Sequence, residues 1–399
     1  MMETLFENLT SGSMVFLIRQ TLIYAVPLMV VALAGVYAER SGVINLALEG
    51  IMIFGAFIGV LFVNLVQQWG WFDAAKAAGD WVSLQGFMLL TMAVAALLGA
   101  VFSLLLAFAA INLRADQTIG GTALNLMAPA LVLFFIRLIA NQNTLQMYTG
   151  DSASWFMLRK SMFGYGRTED MGFLGETFVN RVYPVTYLCI LLFIILSVIL
   201  YKTRFGLRLR SCGENPQASD SLGINVMAMR YAGVTISGAL AGMGGFLYAL
   251  TTANCQSNGD VAGFGFLALA VMIFGNWKPL NVAGAAMLFG MFKCIAASYA
   301  SLDINGDGVY LLRELGYPAP RYCHIPLLTD AQGRRLAKRD RDLDLSALSR
   351  RYTPQRLLGM LAHAAGLLEE DRPADLEELT ALFDWSKVRR GDLRLPDWL

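Results

Sequence analysis

Charge is scarce through most of this 399-residue chain. Residues 1–300 hold 16 Lys or Arg and 14 Asp or Glu, whereas residues 301–399 hold 15 and 16. A water-soluble core of the first kind would need helices with one polar face, and its apolar segments lack one. Histidine is nearly missing, with two residues. The five cysteines, Cys189, Cys212, Cys255, Cys294 and Cys323, show no paired spacing, so no disulfide framework is expected. Adjacent Cys323 and His324 are too few for a metal site, and no cofactor is expected. No Gly-Lys-Ser/Thr phosphate loop occurs, so ATP chemistry would have to come from another chain. The opening MMETLFENLT is acidic where a cleavable signal is basic, which leaves insertion to the first apolar segment.

Long apolar runs are what the chain has instead. A spanning helix needs about 20 mostly apolar residues, and suitable runs cover roughly 14–38, 43–66, 85–111, 118–140, 183–201, 228–251 and 279–299. A shorter run, 263–276, fits a half-span or a buried helix. The link KTRFGLRLRSCGENPQ carries Lys202, Arg204, Arg208 and Arg210, while TTANCQSNGDVAGFG carries no cation. The positive-inside rule makes the first cytoplasmic and the second external. Counting outward, the N-terminus and residues 141–182 fall outside and NLRADQ inside.

Polar residues within the spans carry the next clue. Asn45 and Glu49 lie four residues apart on one helical face, where lipid contact is costly. Thr122 and Asn125 follow the pair Gly120 and Gly121, which permits close backbone approach. Asn45, Glu49, Thr122 and Asn125 are therefore candidates for a polar solute pathway, with interhelical packing as the alternative. GALAGMGGF at 238–246 reads as helix packing.

ERSGVINLALEGIMIFGAF, GGTALNLMA and RSCGENPQASDSLGINVMAMRYAGVTISGALAGMGGFLYAL resemble the permease subunits of ATP-binding-cassette importers. Within that branched-chain amino acid and sugar class they are most similar to nucleoside permeases. The resemblance covers about residues 12–302. It implies an ATPase-coupling loop, whose Glu-Ala-Ala, three residues, Gly pattern falls on Gln217, Ala218, Ser219 and Gly223, with Gly213, Glu214, Asn215 and Pro216 leading in. Gln217 departs from the acidic consensus. The resemblance also implies a separate ATPase, a second permease subunit, an extracytoplasmic substrate-binding protein and further membrane sequence after ASYASLDI. A short cytoplasmic segment with a proline, small residues and a glycine stop suits a stubby docking helix.

The remainder changes character at a junction around 303–307. YLLRELGYPAPRYCHIPLLTDAQGRRLAKRDRDLDLSALSRR, then LFDWSKVRR and LPDWL, resembles the C-terminal part of glutamyl-tRNA synthetase and of the relative that glutamylates queuosine in tRNA. That likeness implies an ATP-loop remnant at Lys338 and Arg339. It also implies an inert tail, because the nucleotide-binding half with its histidine signature is missing. Leu357, Leu358, Leu361 and Leu367 would then bury against a missing domain or in a small helical core. Across the junction, Asp303, Asn305, Asp307, Gly308 and Glu314 match a calcium-loop pattern. Gly316, Pro318 and Pro320 stop the exiting helix that such a site needs, so the match is read as chance.

The expected fold is all-α: a polytopic membrane bundle of about seven or eight segments over 1–302, then a small soluble, mainly helical fragment over 308–399. The expected role is a multi-pass permease of the cell membrane, not an enzyme and not a nucleic-acid binder. A membrane-anchored tRNA-glutamylating fragment and a secondary transporter are the alternatives.

Overall fold

A computed structural model of the protein describes residues 11–147, 153–163, 165, 171–298, 328–329, 351–383 and 393–394. The calcium-loop match, Lys338 and Arg339 lie outside the described residues. The chain divides into two compact units, Met1–Gly316 and Tyr317–Leu399.

The first unit is a helical bundle. Its helices are α1 (Ser11–Arg40), α2 (Leu48–Gln68), α3 (Asp73–Ala78), α4 (Trp81–Ala107), α5 (Gln117–Ala140), α6 (Ala153–Phe156), α7 (Gly172–Phe178), α8 (Pro184–Lys202), α9 (Arg204–Glu214), α10 (Pro216–Ser221), α11 (Val226–Thr251), α12 (Phe264–Phe274) and α13 (Pro279–Ser298). A π-helical turn, Phe108–Asn112, prolongs α4. Among the described residues, seven helices are long and apolar enough to cross a membrane, each near an expected run. The eighth, α12, has 11 residues and so a length of about 16 Å, half of a bilayer's hydrocarbon core.

Two ends of the bundle are defined by contacts. At one, Arg40 pairs with Glu214 at 3.7 Å, Tyr231 bonds Asn112, and the Tyr201 hydroxyl donates to the Trp277 carbonyl at 2.6 Å. At the other, Asn64 Nδ2 donates to the Gln146 carbonyl at 2.8 Å and a two-residue ribbon pairs Leu145–Gln146 with Gln256–Ser257. The cation-rich link 202–210 lies at the first end, which is therefore the cytoplasmic end by charge.

Helix α11 runs through the core against α1, α2 and α4. Small residues make this possible. A Cβ on Gly99 would lie 2.8 Å from the Gly242 Cα, and one on Gly55 would lie 2.4 Å from it, so three backbones meet where no side chain fits. Such contact replaces the hydrophobic drive that lipid cannot supply between helices.

The second unit has two described helices, α14 (Pro354–Ala364) and α15 (Leu376–Leu382), and a parallel pairing of Leu328–Thr329 with Leu393–Arg394. Ala362, Leu368 and Ala374 form its buried centre, with Leu367 and Leu379 packed against it. Leu357, Leu358 and Leu361 are half-buried. Arg356 grips Asp371 with two bonds of 2.8 and 2.7 Å. Among the described residues of both units, strands are two residues long and helix dominates, as an all-α chain requires.

Candidate functional site

Two helices begin inside the bundle. Residues 41–47 leave the cytoplasmic end without helical structure, and the Asn45 amide donates to Ser237 Oγ at 2.9 Å. Ser237 is the twelfth residue of α11, about 17 Å along it, so α2 starts near mid-height. Helix α12 starts beside it. Residues 252–263 pass from the outer ribbon down to that level, and α12 completes the crossing to Trp277. The short run 263–276 is thus the helical half of a discontinuous crossing.

Free N–H groups at an interior helix start need acceptors. Glu49, in the first turn of α2 and 6 % exposed, supplies them for α12. Its Oε1 accepts from the Gly263 amide at 3.0 Å, and its Oε2 accepts from Gly265 at 2.6 Å and Phe266 at 3.2 Å. A carboxylate there also opposes the positive end of the helix dipole. Gly265 has to be glycine, because a Cβ on it would fall 2.4 Å from the Glu49 Cα.

Asn125 serves the start of α2 from the neighbouring α5. Its Oδ1 accepts from the Gly50 amide at 2.8 Å and its Nδ2 donates to the Leu46 carbonyl at 2.8 Å. Asn45 Oδ1 accepts from the Ala47 amide at 3.1 Å. The structure therefore brings Asn45, Glu49 and Asn125 together around two facing helix starts, with every polar group engaged internally. Thr122 is not part of this group: it is exposed, and its hydroxyl donates to the Thr118 carbonyl at 2.7 Å. Of the two neighbouring glycines, only Gly121 makes a close approach, where a Cβ would lie 2.8 Å from the Leu46 Cβ; at Gly120 the nearest atom is 3.5 Å away. Ser237 and the backbone donors of 263–266 carry no motif, so sequence reading missed them.

At the cytoplasmic end, the stretch expected to couple to an ATPase forms a helix of six residues, α10. Pro216 occupies its first turn and the Asn215 side chain caps it by accepting from the Ala218 amide at 3.0 Å. Gly223, at φ +74°, ends it with open space around. Gln217, Ala218, Asp220 and Leu222 face outward, Leu222 being 80 % exposed. Ser219 is buried and its hydroxyl donates to the Asn215 carbonyl at 3.0 Å. Gly213 is a packing position, since a Cβ would fall 2.4 Å from the Arg40 carbonyl oxygen. The four described cysteines, Cys189, Cys212, Cys255 and Cys294, are buried and free of disulfides.

The family described as branched-chain amino acid transport system, permease component, matches residues 17–311. The chain belongs to that permease family. The permease is 42 % identical to the guanosine ABC transporter permease protein NupQ of Bacillus subtilis, over 80 % of this chain and 92 % of that protein. It is 40 % identical to the nucleoside ABC transporter permease protein NupC of Lactococcus lactis, over 70 % of this chain and 81 % of that protein. A separate likeness, 36 % over 96 residues, is to the glutamyl-Q tRNA(Asp) synthetase of Symbiobacterium thermophilum; it covers 24 % of this chain and 30 % of that enzyme. No solved structure matches the permease. Family and seven apolar helices together make it a multi-pass protein of the cell membrane, and a transport component, not an enzyme.

Proposed function

We propose that the chain is one of two permease subunits of an importer that carries a neutral nucleoside, driven by a separate ATPase and fed by an extracytoplasmic binding protein. The observation that carries the neutral solute is Glu49. An interior half-helix start attracts anionic solutes when it is open. Here a carboxylate of the chain itself closes it with three hydrogen bonds. The relatives named for guanosine and nucleosides support the same class. In this reading Asn45, Glu49 and Asn125 hold the discontinuous crossing in shape, and Thr122, on the open face of α5, borders the path.

Helix α10 is the ATPase contact, with Gln217, Ala218, Leu222 and Gly223 outward and Ser219 anchoring it from within. Its short, capped build suits insertion into a groove of a partner, and Leu222 offers the apolar anchor. The synthetase-like tail, including Lys338 and Arg339, takes no part in transport. Radiolabelled nucleoside uptake by the assembled complex in liposomes tests the reading. Competition by unlabelled nucleosides is expected; competition by branched-chain amino acids instead would refute the solute class.

A further inference from the structure

From Ser257, the last paired residue of the outer ribbon, to α12 the chain alternates in burial, with no strand pairing beyond Ser257 among the described residues. Ser257, Gly259 and Val261 are buried, whereas Asn258, Asp260 and Ala262 are exposed. Its height is set by Gly259, whose φ is +77° and where a Cβ would lie 3.4 Å from the Pro129 carbonyl oxygen. Pro129 is the thirteenth of 24 residues in α5, so Asp260 sits at mid-bundle. Lys293 backs the stretch: its Nζ donates to the Ala262 carbonyl at 3.3 Å and lies 5.2 Å from the Phe264 ring centroid. Asp260 Oδ1 accepts from the Ala262 amide at 2.9 Å, and Oδ2 has no hydrogen-bond partner among the described residues.

An exposed carboxylate at that depth is incompatible with lipid contact. Lipid-facing positions elsewhere in the bundle look different: Leu90, Leu97 and Val101 of α4 are exposed and apolar. We infer that Asn258, Asp260 and Ala262 form a polar wall of the solute path, where Asp260 Oδ2 accepts a hydrogen bond from a hydroxyl or amino group of the solute. Lys293 is a positioning residue that fixes the lower end of this wall. The inference rests on the proposed nucleoside transport only for the class of solute.

Cysteine accessibility in the assembled complex, with native cysteines replaced, separates the two claims. Asn258→Cys and Ala262→Cys are expected to react with a charged, membrane-impermeant thiol reagent, while Leu97→Cys reacts only with a lipid-soluble one. Nucleoside should protect both positions. Protection by another class of solute supports the wall and refutes the nucleoside reading. Reaction of both positions only with the lipid-soluble reagent overturns the wall. Asp260→Asn should raise the KM for uptake about tenfold with little change in kcat, as expected for loss of a charged acceptor. An unchanged KM overturns the role of Oδ2.

Discussion

The Gly265 amide and the Glu49 carboxylate, 216 residues apart in sequence, lie 2.6 Å from each other. This bond, with those from Gly263 and Phe266, joins two helices that begin inside the bundle. Replacing Glu49 by Ala would strand three N–H groups at an interior helix start, that of Gly265 buried, and should destabilise the permease by roughly 3 kcal/mol. Glu49→Gln keeps shape but presents an amide N–H₂ to donors, so it should fall between. Thermal unfolding of the purified complex in detergent checks the order Glu, Gln, Ala.

Asn125 is expected to matter through two hydrogen bonds to the backbone of residues 46 and 50. Asn125→Ala should lower stability by about 2 kcal/mol. Thr122→Ala, which removes one bond within its own helix, should change it by less than about 0.5 kcal/mol. A larger loss at Thr122 than at Asn125 would contradict the geometry.

The seven spans were legible because length and uniform apolarity suffice to mark them, and the run 263–276 was legible as a half-span or a buried helix because it is too short for a full crossing. Asn45, Glu49 and Asn125 stood out as polar groups in apolar surroundings. Their partners did not: Glu49 is held by main-chain donors of residues 263–266, and a backbone amide leaves no trace in composition. GDVAG read as an external loop for the same reason, since polar, glycine-rich chain at membrane depth is told from surface loop only by what packs around it. Ser219 aligned with the coupling pattern, but only the fold of α10 shows that it points inward.

That orientation separates neighbouring cross-linking positions. In the complex with its ATPase, Ala218→Cys should form an adduct with a cysteine in the partner's groove. Ser219→Cys should not, because its side chain is buried within the permease. Efficient adducts from position 219 alone would require a different docking face.

Glycine at 242 and at 120 should respond oppositely. A Cβ on Gly242 would fall 2.5 Å from the Ala95 carbonyl oxygen, so Gly242→Ala must push helices apart. Overpacking of this kind typically costs about 1–3 kcal/mol. Gly120→Ala meets only the Leu106 side chain at 3.5 Å and removes glycine's excess unfolded freedom, so it should be neutral or slightly stabilising. Yields of folded protein by size exclusion decide the matter.

Outside the spans, Glu176 is held below the usual carboxylate range, chiefly by the Asn180 side-chain amide, with Lys160 Nζ at 3.5 Å. A lowered folded-state pKa adds stability that is full above the unfolded value and is lost as pH falls through the folded one. Protection factors for hydrogen exchange across residues 172–180, taken relative to the intrinsic rate at each pH, should therefore fall on acidification below about pH 4. Glu176→Gln should remove that pH dependence.

The central claim, ATP-driven nucleoside import through this subunit, is tested most directly by uptake into liposomes containing the permease, its partner permease and the ATPase. Binding protein and labelled nucleoside are supplied outside and ATP inside. The account predicts saturable uptake that requires ATP and stops when the ATPase subunit is omitted. Nucleoside uptake that persists without the ATPase, driven by an ion gradient, would contradict it.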